Sequence, residues 1–213
     1  MKPKVLVCIL CGSERCDWIN PTLFSSALQL QKSATFDVTV EPVVGLRPVD
    51  RARNESVIRA RTGNFDWLVM IDNDQCIPPN NGLLDILAQA GPRQDVIVLP
   101  YGIRTDNQGL RWSCNFLEPF NGQPFIRIDD AATGVIVLRS SVWKRMFAGP
   151  WFETQFTDGG ELGRTFKYGE DIAFSRAAKE AGLEFWASPV CSPHLKTADI
   201  TSFVIEKHKA LQH

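Results

Sequence analysis

The segment Trp67-Leu-Val-Met-Ile-Asp72-Asn73-Asp74 runs from an apolar stretch into two acids one residue apart. A short apolar run of this kind reads as a buried β-strand. Ligands of open α/β sheets bind beyond the carboxyl ends of the strands. Two carboxylates placed there reach one hard divalent cation, Mg²⁺ or Mn²⁺, directly or through water. A solvated turn leading into Pro78-Pro79-Asn80-Asn81 accounts for the same acids. A second acidic pair stands in Tyr168-Gly169-Glu170-Asp171 and opens a helical pattern. Helix starts favour acids through the dipole, and a first-turn carboxylate can also project into a cleft as a general base. His194 lies in Ser188-Pro-Val-Cys-Ser-Pro-His194-Leu-Lys196. A lone histidine is more often structural, yet a neutral imidazole is a common Mn²⁺ ligand. Arg47, Arg51 and Arg53 fall within seven positions, upstream of the acidic strand. Guanidinium forks and a helix N-terminus suit phosphate oxygens, and a solvated basic face is the plainer reading.

The elements that must position these residues follow from apolar periodicity. Strands are expected at Lys4–Leu10, Phe36–Val43, Trp67–Ile71, Asp95–Pro100, Gly134–Leu138 and Leu183–Ala187. Helices are expected at Pro21–Lys32, Arg51–Thr62, Gly82–Ala90, Ser141–Phe147, Asp171–Ala181 and Ile200–Leu211. Asp50 would cap the second of these and Gly63 would stop it. Alternating strands and helices in the first half predict an α/β fold with a mostly parallel central sheet and flanking helices. Gly102–Asp130 and Gly159–Gly169 read as irregular, and long irregular stretches usually carry function.

Composition bounds the rest. The chain has 213 residues, with 23 Lys plus Arg against 24 Asp plus Glu, so bulk charge does not hold it to nucleic acid or membrane. No apolar run approaches the roughly 18–20 residues of a membrane-spanning helix. The opening Met1-Lys-Pro-Lys followed by Val5–Cys11 reads as a first strand rather than a signal peptide, since no small-x-small cleavage site follows. The six cysteines read as reduced thiols of a cytoplasmic protein. Cys8 and Cys11, three apart on a strand, would point to opposite faces and form neither a metal site nor a redox pair.

The order of these motifs resembles the GT-A type of nucleotide-sugar-dependent glycosyltransferase, especially its large family 2-like group. Ala52-Arg53-Asn54 is similar to that group's Ala-Arg-Asn, Asp72-Asn73-Asp74 to its Asp-x-Asp, Ala132–Arg139 to its acceptor-side strand and Gly169-Glu170-Asp171 to its Glu-Asp motif. The resemblance spans about residues 4–196. It implies a Rossmann-like sheet with irregular acceptor-side loops. It also implies one domain over 1–213: a nucleotide-sugar half to about residue 100, an acceptor half over about 101–196, and a C-terminal helix at 197–213.

By the same resemblance, Asp74 would bind a Mn²⁺ or Mg²⁺ ion bridging the donor phosphates. Asp72 would contact ribose or the metal, and His194 would be a further metal ligand. Arg51, Arg53, Asn54, Asn73, Gly12 and Ser13 would face the nucleotide sugar. Asp171 would be the general base, with Glu170 orienting it or the acceptor. Trp112, Thr133, Gly134 and Gly169 would line the acceptor side. The implied activity moves one sugar from a nucleotide-diphosphate sugar, UDP first and GDP second, to an acceptor hydroxyl, with inversion and without processivity. Glycans, small molecules and modified DNA bases are the acceptor classes open, and small soluble enzymes of this kind occur in bacteria and phages.

Two departures stand out. The loop Cys11-Gly-Ser-Glu-Arg-Cys16 lacks the usual Pro-x-x-Asn start, which leaves the nucleotide open. Gln108-Gly-Leu-Arg111-Trp112 spells Gln-x-x-Arg-Trp but precedes the Glu-Asp motif, against the order in processive synthases. Two other readings share the acids. An apolar strand ending in Asp-x-Asp also marks haloacid-dehalogenase-like phosphatases, although there it lies near the N-terminus. A non-catalytic nucleotide-sugar-binding protein would keep the same fold.

Overall fold

A computed structural model describes residues 1–12, 21–77, 82–105, 109–146, 148–158 and 164–192. Its first half alternates β1 (Lys4–Cys11), α1 (Pro21–Leu30), β2 (Asp37–Val44), α2 (Val49–Thr62), β3 (Trp67–Asp72), α3 (Gly82–Gln89) and β4 (Val96–Val98). There follow β5 (Gly102–Thr105), β6 (Gly109–Trp112), β7 (Cys114–Phe116), β8 (Ile126–Ala131), β9 (Val135–Arg139) and α4 (Ser140–Arg145). The last described elements are β10 (Gln155–Asp158), β11 (Arg164–Tyr168), α5 (Glu170–Glu180) and β12 (Phe185–Ala187).

Eight strands form one sheet in the order β2-β1-β3-β9-β4-β12-β8-β7. Its pairings leave only β9 and β8 running against the other six strands, so the sheet is mixed and mostly parallel. Side chains alternate across it, as strand geometry requires. Leu6, Cys8 and Leu10 of β1 join one apolar cluster with Val57 and Ala60 of α2, Trp143 of α4 and Phe174 of α5. Val5, Val7 and Ile9 join the other with Leu23 and Ala27 of α1 and Leu83 and Leu87 of α3. Helices therefore cover both faces, which is why the strands read as continuous apolar runs.

The structure corrects several boundaries. α2 begins at Val49, with Pro48 at its N-cap. Proline tolerates that place because its missing N–H would have no helical partner there. Asp50 instead sits in the first turn, where Oδ1 accepts the N–H of Arg51 at 2.7 Å. The strand expected at Asp95–Pro100 shrinks to Val96–Val98; the Asp95 N–H turns back to the Arg93 carbonyl at 2.9 Å, and its side chain accepts a bond from the Ser141 hydroxyl at 2.5 Å. Gly102–Asp130 is not irregular throughout: β5 pairs with β6 and β7 with β8. Those strands are short and broken by Gly, Asn and Pro, which hides their period. In Gly159–Gly169, residues Arg164–Tyr168 pair with β10. The helix expected at Ile200–Leu211 lies outside the described residues, as does all of 197–213. Among the described residues no helix is long and apolar enough to cross a membrane.

Candidate active site

The acidic pair sits where β3 leaves the sheet. The Asp72 N–H donates to the Gly134 carbonyl at 2.8 Å and the Asn73 N–H to the Leu10 carbonyl at 3.1 Å. The turn closes through Gln75 N–H to the Asp72 carbonyl at 2.9 Å. Both neighbours of β3 thus hold the strand end in place.

Arg53 is the organising side chain. It is 3% exposed on α2. Its Nη2 donates to both oxygens of Asp72, at 3.2 and 3.1 Å, and to the Thr133 carbonyl at 3.2 Å. Its Nη1 is paired with Glu170 Oε1, 117 positions away. Its Nε is buried without a partner. Arg53 therefore joins the two acidic motifs instead of reaching out to a nucleotide. One sequence signal marks this: Arg53, Ser56, Val57 and Ala60 are buried at helical spacing, on one face of α2. Asn54 also turns inward. Its Oδ1 accepts the N–H groups of Trp151 and Phe152, and its Nδ2 donates to the Phe152 carbonyl at 2.6 Å.

Electrostatics ties the acids together. Burial pushes the Asp72 carboxyl up to about 6, Arg53 pulls it down, and Asp74 and Glu170 push it up further. Asp171 is also raised, first by burial, against a bond from the Ile172 N–H to its Oδ1 at 2.8 Å. The Tyr101 phenol is raised by burial and then by the charges of Asp72, Asp171 and Asp74, less the opposing pull of Arg53. Tyr101 therefore stands among these acids, and nothing in its own sequence context announces it. Gly134 sits against it: a Cβ there would lie 2.8 Å from Tyr101 Cε1 and 2.5 Å from Gln75 Nε2. Gln75, 1% exposed, is held by the Ser192 hydroxyl at 3.1 Å, which also reaches the Cys76 carbonyl at 2.7 Å. The loop that ends the described chain is thereby fastened just past Asp74.

The remaining expected residues distribute as follows. Gly12 directly follows β1, and its carbonyl accepts a bond from Arg47. Cys11, Gly12, Leu46, Arg47, Pro48 and Ala52 wall an open cavity of about 460 Å³. Arg51 is exposed and reaches back to the Arg47 carbonyl at 3.5 Å. Thr133, 3% exposed, and Gly134 support Asp72 from behind rather than lining an open acceptor surface. Trp112 packs against the core and meets Phe116 edge to face at 6.3 Å. Gly169 gives Asp171 room, since a Cβ there would lie 3.0 Å from its Oδ1. Ser13 and His194 lie outside the described residues.

The acids suit a hard divalent ion. Asp72 and Asp74 offer carboxylate oxygens at one strand end, and Asp72 and Glu170 share the buried guanidinium of Arg53, whose charge also acts on Asp171. Among the described residues, however, no group of three or more His, Cys, Asp or Glu side chains is arranged to hold a metal. A complete shell would need further donors, such as diphosphate oxygens or water.

No family model matches the sequence, and no curated protein matches it. Solved structures do share its architecture. A197 from STIV superposes with a TM-score of 0.59 at 14% identity, over 91% of this chain and 85% of that one. CMP:2-keto-3-deoxy-manno-octonic acid synthetase, complexed with CTP, gives 0.51 at 14% identity, over 99% and 98%. S. aureus TarS 1-349, in complex with UDP-GlcNAc, gives 0.50 at 15% identity, over 90% of this chain and 57% of that one.

The chain has a GT-A type fold.

β3 ends on Asp72, with Asp74 two residues on, and α5 opens on Glu170 and Asp171. The five described cysteines are free thiols. Cys8, on the α2 side of β1, is pushed up to about 12, chiefly by burial, which makes it chemically quiet.

Proposed function

We propose that this protein is a metal-dependent glycosyltransferase that moves one sugar from a nucleotide-diphosphate sugar to an acceptor hydroxyl. The observation that carries the reading is the convergence of Asp72 and Glu170 on one buried arginine. It brings a strand-end acidic pair and a helix-start acidic pair into a single site. The UDP-GlcNAc and CTP held by two proteins of like fold support a nucleotide ligand.

In this reading the cavity beside Gly12 and Arg47 takes the nucleoside, with Arg51 at its rim toward the phosphates. A UDP-sugar is favoured and a GDP-sugar is the second candidate. Asp72 and Asp74, with His194 as a further ligand, would hold Mn²⁺ or Mg²⁺. That ion, when bound, would stabilise the charge growing on the leaving diphosphate. Asp171 takes the proton from the acceptor hydroxyl. The Ile172 N–H fixes one of its oxygens, and its raised affinity for a proton makes it a stronger base than a solvated aspartate. Glu170, held by Arg53, keeps the start of α5 in register with β3. A base opposite the leaving group implies inversion, and Gln108-Gly-Leu-Arg111-Trp112, which precedes Glu170 instead of following it, favours single transfers. The acceptor, whether glycan, small molecule or modified DNA base, approaches past the β10–β11 hairpin. The protein acts in the cytoplasm, where its thiols stay reduced.

A thermal-shift screen of UDP-, GDP- and other nucleotide sugars, with and without Mn²⁺, tests this. The true donor raises the melting temperature only with metal, by mass action worth about 2.7 kcal/mol at a hundredfold excess over Kd. No shift with any donor would overturn the reading.

A further inference from the structure

One cation, Arg53, is shared by two acids that serve different substrates in the proposed reaction. Its Nη2 lies on Asp72, on the donor side, and its Nη1 on Glu170, on the acceptor side. It is buried, so solvent does not dilute the competition between them. The guanidinium is planar and rigid, and its fork spacing is fixed. What it yields at one acid it can regain in part at the other, with the Thr133 carbonyl as a neutral acceptor between them. Its Nε has no partner, so the group holds an unused donor that a shifted pose could satisfy. Arg53 sits 5.9 Å from the Phe152 ring, and that ring stacks on Phe174 of α5 at 4.3 Å. A shift of Arg53 is therefore felt by the helix that carries Asp171.

We propose that Arg53 is a positioning residue that couples the donor and acceptor halves of the site. The inference rests on the glycosyltransferase reading. Asp72 would hold a divalent ion with the carboxylate that Arg53 now bonds, and Arg53, displaced from it, would rest more fully on Glu170. The start of α5 is then held more firmly, with Asp171 in place for the acceptor. Binding energy flows both ways, since coupling between sites is reciprocal. Neutralising Glu170 returns Arg53 to Asp72 and weakens the ion there, although Glu170 does not touch it.

The test measures Mn²⁺ binding by the loss of the free-ion paramagnetic resonance signal, with UDP present. Wild type, Glu170→Gln, Arg53→Lys and the double variant are compared. Glu170→Gln should weaken Mn²⁺ about fivefold or more in the wild-type background. In the Arg53→Lys background, where the charge remains but the fork is gone, the same change should fall below about twofold. Equal weakening in both backgrounds would overturn the proposal, since Glu170 would then act directly through its field. No weakening in the wild-type background would overturn it as well.

A second measurement needs no metal. Melting temperatures of Asp72→Asn, Glu170→Gln and their combination should be non-additive with Arg53 present and additive with Arg53→Lys. Additivity in both backgrounds would overturn the sharing itself. If wild type binds neither Mn²⁺ with UDP nor any donor, the glycosyltransferase reading falls and takes the coupling of substrates with it. If wild type binds donor but the Arg53 and Glu170 effects are independent, only the coupling falls.

Discussion

Asn54 grips both peptide groups that flank Phe152. It accepts the Phe152 N–H at 3.1 Å and donates to the Phe152 carbonyl at 2.6 Å, while also accepting the Trp151 N–H at 2.8 Å. The Phe152 ring stacks on Phe174 at 4.3 Å and 16°, so this clamp on α2 fixes α5 through a third segment. Asn54→Ala should therefore cost about 2–3 kcal/mol, because it strands backbone groups in a partly buried place. Chemical denaturation checks it. A loss of donor affinity with unchanged stability would contradict this structural role and restore a nucleotide contact.

Asp171→Asn should leave the metal-dependent thermal shift of the donor intact and lower turnover about 10²–10⁴-fold. Hydrolysis of the donor in the absence of acceptor supplies a rate to measure. In wild type, that rate should fall as pH drops through a value above the ordinary aspartate range, because burial raises Asp171 and the base works only when deprotonated. The same shift works the opposite way on stability. A carboxyl with a raised folded-state pKa contributes stability at low pH and loses it as pH rises through that value. The rate limb and the stability change should therefore run in opposite directions. A rate limb at the pKa of a solvated aspartate would contradict the assignment.

Gly134→Ala should disturb the site from behind. The added methyl would meet Gln75 and Tyr101 at 2.5 and 2.8 Å, and Gln75 is fully enclosed. Overpacking of this kind costs about 1–3 kcal/mol. Because Gly134 also receives the Asp72 N–H, metal-dependent donor binding should weaken together with stability. Isothermal titration with UDP and Mn²⁺ separates the two effects. Unchanged binding in a destabilised variant would remove Gly134 from the support of Asp72.

Phe156 and Phe166 face each other across the β10–β11 hairpin, 51% and 61% exposed, with ring centroids 6.3 Å apart. The second strand of that hairpin runs directly into Gly169 and Asp171. Aromatic faces stack on sugar rings and bases alike. Replacing both by Ala should change stability by less than about 1 kcal/mol. It should leave donor hydrolysis unchanged and raise the KM of whichever acceptor is found. A shift in donor KM instead would move the hairpin to the donor side.

Much of the framework was readable because it depends on local periodicity. The strands at Lys4, Phe36 and Trp67 are apolar along their length because helices cover both faces, and Asp72 was found because it stands where such a run stops. Glu170 and Asp171 were marked by the helix they open. The partners of these acids were not readable in the same way. Tyr101, Gln75 and Ser192 acquire their places through contacts between distant segments, and each is an ordinary loop residue in its own neighbourhood. Arg53 and Asn54 stand out in the sequence as a motif, and the structure bonds both to distant segments of the chain. Their chemistry suits an anion, and the buried stripe of α2 marks Arg53, though not Asn54, as facing inward.

The antiparallel strand β9 lies between β3 and β4 and contacts both. Its neighbour Gly134 also holds the Asp72 N–H. The order of synthesis therefore matters. As the chain emerges from the ribosome, β3 can gain β1 on one edge at once, but its other edge waits until Val135–Arg139 has been made. The acidic pair is among the first parts of the site to be translated and among the last to be locked in place. Until then, an apolar strand ending in charges stays open along one side, which is the interval in which such an edge is most exposed to mispairing.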